Sequence, residues 1–304
     1  MVEQLGEIYL PLIGWTAIGF LLLRHVPEVF PKLIARSLFW LGVPLQVFGF
    51  TLRADLTGAI WLVPMVVSAF LSLSLLLTWW CSWRFRRSDR APFLLSAVIG
   101  NTGFVGLAIA PYLVDQVGLS WVVLFSLTHN IIGSYGFGVA ISSYYSQKTQ
   151  PWHHHLKSVL LTPALWGFGL GLWFKLQQIQ LNQPIHQALD LTVNGVTALA
   201  LILVGIRFSE IKLSKHLQIS GLAALCKVLL LPLVLGIILT LFGITDSRRL
   251  AVVLEAGMPT AIAGVILAEE YAFSTEIIVV SIALTSLGVL GSIPLWLWLF
   301  PAHV

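Results

Sequence analysis

The sequence predicts an all-α integral membrane protein of ten transmembrane helices, arranged as two inverted five-helix repeats with broken, crossing fourth and ninth helices. Three observations predict it. Apolar residues make up 58% of the 304 residues, charged residues only 10%, and mean hydropathy is +0.91, all far from soluble averages. The apolar residues gather into ten runs near the length of about 20 residues that crosses some 30 Å of hydrocarbon. Two of those runs are interrupted at the middle, in corresponding positions of the two halves. FLLSAVIGNTGFVGLAIAPYLV is broken by Gly100, Asn101, Gly103 and Gly106, and LAVVLEAGMPTAIAGVILAEEY by Gly257, Pro259 and Gly264. Backbone released from helical bonding is tolerated at mid-depth only inside protein or beside a polar cavity. A matched pair of such breaks points to a transporter binding site between half-repeats.

The ten runs are residues 8–23, 34–52, 60–80, 93–114, 119–142, 156–176, 185–208, 217–242, 250–271 and 277–300. Glu3 and Glu7 precede the first and no early Lys or Arg does, so it lacks the basic flank of a cleaved signal and is expected to be retained. Arg36 and Asp190 sit near the ends of the second and seventh. The longest connection, 144–156, separates five runs from five, which predicts a first repeat at 1–147, a cytoplasmic connecting loop at 148–155 and a second repeat at 156–304.

Basic residues set the orientation. Loops after odd-numbered runs carry Arg24, Lys32, Arg36, Arg84, Arg86, Arg87, Arg90, Lys148, Lys157, Arg207, Lys212 and Lys215; the other side has Arg53, Lys175, Arg248 and Arg249. The bias puts the odd loops in the cytoplasm and both termini outside it, in a multi-pass protein of the cell membrane. An odd number of spans per half then forces the second half to be inverted. The net charge of +4 and pI near 9.2 arise from these short loops and serve topology, not nucleic-acid binding.

Register brings the two breaks together. Asn101 lies ten residues beyond Ala91, and Pro259 ten beyond Arg249, so each break falls about 15 Å deep, entered from opposite sides. Half-helix ends would point partial charges into one small cavity. Asn101 offers two amide donors and a carbonyl to a carboxylate; Thr102 and Thr260 flank the breaks with hydroxyls, although threonine also bonds back to its own helix. Gly103 and Gly106 allow close approach beside that site, or serve helix packing alone. Asn130 and Asn194 lie about ten residues inside the fifth and seventh runs and are candidates to line the cavity, against simple interhelical bonding. His129 beside Asn130 reads as a neutral hydrogen-bonded filler, and Asp190 sits nearer the outer edge.

Glu255 lies one turn before Pro259 in apolar surroundings, where an ionised carboxyl is costly and protonation can enter the working cycle. The competing reading is an ionised group near the interface, paired with Arg248 or Arg249. Lys227 is eleven residues into the eighth run, too deep to reach the interface easily. It reads as one side of an ion pair with Glu255, either functional or fixing the packing.

Other chemistry finds little support. Cys81 and Cys226 have no metal spacing, and His153, His154 and His155 read as a solvated loop. No metal and no cofactor is expected. The chain has neither a GxxxxGK[ST] loop nor an HExxH pair, which argues against an ATP-driven pump or a zinc protease. No nucleophile is paired with a base, so no enzyme is expected. GFGLG at Gly167–Gly171 fits a GxxxG helix contact and suggests a homodimer through the sixth helix.

GNTGFVGL at Gly100–Leu107, MPTAIAGVILAEEY at Met258–Tyr271, SIALTSLGVLGSIP at Ser281–Pro294 and the stretch Leu38–Leu56, with LGVPLQVFGFTLRADL inside it, together resemble the auxin efflux carrier family, the bacterial branch of the PIN-like transporters. The resemblance reaches both halves. One departure is Ala108, where family members often have a proline; Pro111 follows three residues later, so the first break rests on Asn101 and the glycines. The resemblance implies the ten-helix inverted fold and a permease for organic anions such as auxins and dicarboxylates. It also implies an elevator-like division, with spans three to five and eight to ten moving against spans one, two, six and seven. The expected activity is secondary active transport of a small carboxylate, coupled to protons. The alternative is a sodium-coupled carrier of the bile-acid symporter type, which would need oxygens from groups such as Glu255, Thr260 and Thr285. A channel is a third reading.

Overall fold

The computed structural model describes residues 2–23, 26–27, 29–56, 58–146, 157, 160–209 and 216–302. The connecting loop expected at 148–155, with its three histidines, and the basic residues Arg24, Lys148, Lys212 and Lys215 lie outside the described residues.

The regular elements are helices: α1 (Val2–Leu21), α2 (Val29–Arg53), α3 (Ile60–Ser82), α4 (Arg87–Val98), α5 (Thr102–Tyr112), α6 (Gln116–Tyr145), α7 (Pro163–Leu176), α8 (Gln183–Ser209), α9 (Leu217–Leu241), α10 (Asp246–Ala256), α11 (Ala263–Glu270) and α12 (Glu276–Leu299). Six of them, α2, α3, α6, α8, α9 and α12, are long and apolar enough to cross a membrane. Their outer faces expose large apolar groups such as Leu76, Leu241 and Trp298, a surface suited to lipid and costly in water. The fourth and ninth apolar runs are each split, into α4 with α5 and α10 with α11.

Helix α4 begins at Arg87, six residues before the apolar run at 93. The residue before it, Arg86, is extended, and Asp89 in the first turn complements the positive helix end. Arg90 folds back onto the carbonyls of Phe85 (3.1 Å) and Trp83 (2.8 Å). The polar prefix therefore belongs to the helix and not to the loop. Helices α4 and α10 come out nearly equal, 12 and 11 residues, so each runs about 17 Å before breaking.

Two groups of helices pack tightly. In one, α1 lies on α8 and α2 lies on α7 and α8. Backbones touch there: a Cβ on Gly205 would sit 2.9 Å from the Thr16 carbonyl carbon, and one on Gly171 would meet the Phe48 carbonyl oxygen at 3.1 Å. In the other group, α4 packs on α3, α9 and α12, and α6 on α3 and α10. Every residue from Ala91 to Val98 in α4 is buried.

The glycine face of α7 serves a contact within the chain. A Cβ on Gly167 would lie 2.9 Å from the Pro44 carbonyl carbon and 3.0 Å from its Cα. Gly167 and Gly171 are thus occupied by α2 of the same chain and offer no face to a second copy. In lipid, close backbone approach is a main source of helix association, and here it fastens α7 to α2. Gly167→Val is expected to lose about 2 kcal/mol or more of stability, read as a lowered unfolding temperature in detergent with no gain or loss of oligomer.

Candidate functional site

Helix α4 stops because Ile99 turns extended (φ −89°, ψ 115°) and Gly100 and Asn101 follow outside helical geometry. Helix α10 stops at Gly257, and Pro259 biases Met258 away from the helix while donating no backbone hydrogen bond of its own. The two breaks meet. Gly100 and Thr260 form an isolated antiparallel bridge, with Asn101 N donating to Pro259 O at 2.6 Å and Ala261 N to Ile99 O at 3.0 Å. A two-residue piece of sheet thus replaces helical bonds lost on both sides, as buried backbone demands.

Side chains from neighbouring helices satisfy what is left. The Thr260 hydroxyl donates to Ser96 O (2.7 Å), and its amide donates to the Thr285 hydroxyl (3.0 Å), which itself donates to Ser281 O (2.6 Å). His129 Nε2 accepts from Gly100 N at 3.5 Å, with the imidazole stacked on Phe125. Lys227 is fully buried in a π-helical turn of α9, Cys226–Leu230, and its ammonium donates to Val98 O at 3.4 Å, beside Gly100. A cation there meets the negative C-terminal end of α4.

This geometry sorts the predicted residues. Asn101, Gly103 and Asn130 are half-buried and adjoin: a Cβ on Gly103 would lie 3.3 Å from Asn130 Nδ2, and that amide donates to Ser126 O at 2.9 Å. Asn101 Oδ1 accepts from Phe104 N at 3.3 Å, capping α5. Its amide nitrogen makes no such bond among the described residues and remains available to a ligand. Thr102 and Thr260 are fully buried and committed, Thr102 accepting from the Ser126 hydroxyl at 3.3 Å. Thr260 is thus bonded across the break to α4 and Thr102 to α6. Pro259 contributes its carbonyl to the bridge. Asn194 is elsewhere, on the wall of a cavity beside the C-terminal end of α2; depth along a helix did not determine its azimuth.

Glu255 is 1% exposed, and neither carboxyl oxygen has a hydrogen-bond partner. It presses on Gly106, where a Cβ would collide with both oxygens. Glu255 and Lys227 act on each other electrostatically without the direct ion pair seen at Arg53–Asp190 and His216–Glu276 among the described residues. Glu255 points from α10 toward the start of α5, whereas Lys227 reaches the end of α4. Pairing of Glu255 with Arg249 is also absent, since Arg249 lies over the Phe300 ring and donates to Thr240.

Sequence reasoning missed Gln46. Its amide donates to Leu107 O in α5 (3.2 Å) and to the Thr197 hydroxyl in α8 (3.3 Å), linking the two helix groups. A lone buried amide in the apolar α2 was the available signal. No group of three or more His, Cys, Asp or Glu able to hold a metal occurs among the described residues.

Residues 150–297 match the family described as Membrane transport protein. The match takes in Lys227, Glu255, Pro259 and Thr260, and ends within α12. No curated protein matches the chain. The chain is a multi-pass membrane protein, and its second half is similar to membrane transport proteins.

Proposed function

We propose that the protein is a secondary active transporter for a small organic anion, in the manner of the auxin efflux carriers it resembles. The observation that carries this reading is the meeting of two interrupted helices from opposite halves of the chain, with the half-buried Asn101 and Asn130 side chains beside it. In this reading ten spans form two inverted repeats in the cell membrane, both termini lie outside the cytoplasm, and the paired breaks bind substrate near the midplane. The group containing α3–α6 and α9–α12 moves against the group of α1, α2, α7 and α8, with Gln46 at the sliding contact. Glu255 carries the exchangeable proton: its carboxyl is buried beside Gly106 without a hydrogen-bond partner and exchanges the proton when the cycle admits water. Lys227 compensates the broken end of α4.

The test is flux into proteoliposomes of labelled acetate, benzoate, malate and succinate, with proton and sodium gradients imposed separately. Saturable uptake of one or more, driven by a pH gradient and indifferent to sodium, is the expected result. Uptake driven by sodium at constant pH would assign the coupling to the bile-acid-symporter type. Currents far above carrier turnover would make the protein a channel.

A further inference from the structure

A cavity of about 510 Å³ opens where the C-terminal end of α2 and the N-terminal half of α8 face the junction of α5 and α6. Phe50, Val114 and Val193 give it apolar walls, and Arg53, Asp190 and Asn194 supply polar groups. The volume suits a small ligand held by a few polar contacts. Arg53 and Asp190 form an ion pair at this cavity, their side chains 41% and 50% exposed. The third charged residue of the lining, Asp115, is committed locally: its carboxylate accepts from Gly118 N at 2.8 Å and caps α6, whose positive end offsets the charge.

The ion pair is not needed to join α2 to α8. Gln46 already donates to Thr197, and Gly42 packs on Val196. Half-exposed pairs of this kind contribute little to stability, so one partner can be exchanged readily. A guanidinium binds any carboxylate through two parallel N–H donors, whether it belongs to an aspartate or to a ligand. We propose that Arg53 is the carboxylate-selecting residue of a substrate vestibule, and that Asp190 holds its place until an organic carboxylate displaces it. The ligand class follows from the lining. One cation receives one carboxylate, the apolar walls receive an apolar body, and a second carboxylate would meet Asp115 and the displaced Asp190. Monocarboxylates are therefore favoured over dicarboxylates.

This inference rests on the transport reading above, so binding and flux are measured separately. In detergent, benzoate should raise the unfolding temperature of the wild type and of Asp190→Asn, but not of Arg53→Gln. In proteoliposomes, Arg53→Gln should raise KM for benzoate roughly 10- to 100-fold on the vestibule side, with kcat little changed and Arg53→Lys intermediate. Asp190→Asn should lower KM several-fold. If Asp190→Asn raises KM as Arg53→Gln does, or if benzoate stabilises Arg53→Gln as well as the wild type, the pair is structural and the inference fails. A wild type stabilised by benzoate only through Arg53, yet moving none of the four carboxylates, would overturn the transport reading and leave the vestibule assigned. A wild type showing no benzoate-dependent shift would overturn the vestibule itself.

Discussion

Asn101→Ala is expected to reduce transport by roughly 10- to 100-fold, the effect of removing one hydrogen bond to a charged ligand. The folded protein should survive. Asn101 caps α5 through Phe104 N, and loss of such a cap costs about 1 kcal/mol, whereas the bridge to Pro259 uses the Asn101 backbone and is untouched. Asn101→Asp separates the two roles. It keeps the capping acceptor and loses the amide donors, so it should be as stable as the wild type and as inactive as the alanine variant. Unfolding temperature and initial uptake rate are the two measurements. An aspartate variant that transports normally, or an alanine variant that fails to fold, would reduce Asn101 to a structural cap.

Glu255→Gln should still exchange substrate across the membrane but should no longer concentrate it. Glutamine has nearly the same shape, so the packing against Gly106 is kept, and it cannot release a proton. A pH gradient of one unit stores about 1.4 kcal/mol per proton, enough for about tenfold accumulation in one-to-one coupling. The wild type should approach that ratio and the variant should stay near unity, with counterflow exchange as the control for an intact cycle. Continued accumulation by the glutamine variant would remove Glu255 from the coupling step.

The breaks were legible in the sequence because their causes are local. Gly100 with Asn101 and Gly257 with Pro259 are clustered poor helix formers, whereas Gly103, Gly106 and Gly264, read with them, lie inside helices; counting residues from the helix ends brought Asn101 and Pro259 to one depth. What each side chain touches was not local. Lys227 and Glu255 looked like direct partners because both are titratable groups in apolar runs, yet one donates to a backbone carbonyl and the other packs on a glycine. Thr260 sits beside the break as expected, but only the fold reveals Ser96 O as the acceptor of its hydroxyl. The GxxxG pattern of α7 announces close contact and says nothing about which helix makes it. Asn194 shows the same limit, since spacing gives depth and leaves open which way an exposed amide faces.

The bridge between Gly100 and Thr260 has a consequence for biosynthesis. The first half of the chain emerges with α4 already interrupted, and the partners of Ile99 O and Asn101 N are Ala261 N and Pro259 O, about 160 residues further along. Until those arrive, these amide and carbonyl groups lack the partners they have in the folded chain, at several kcal/mol each wherever their surroundings are apolar. A nascent first half is thus an obligate intermediate, dependent on wet surroundings or a protein chaperone until its counterpart inserts. Translation that stops before α10 leaves a fragment without the partners that Ile99 O and Asn101 N have in the full chain.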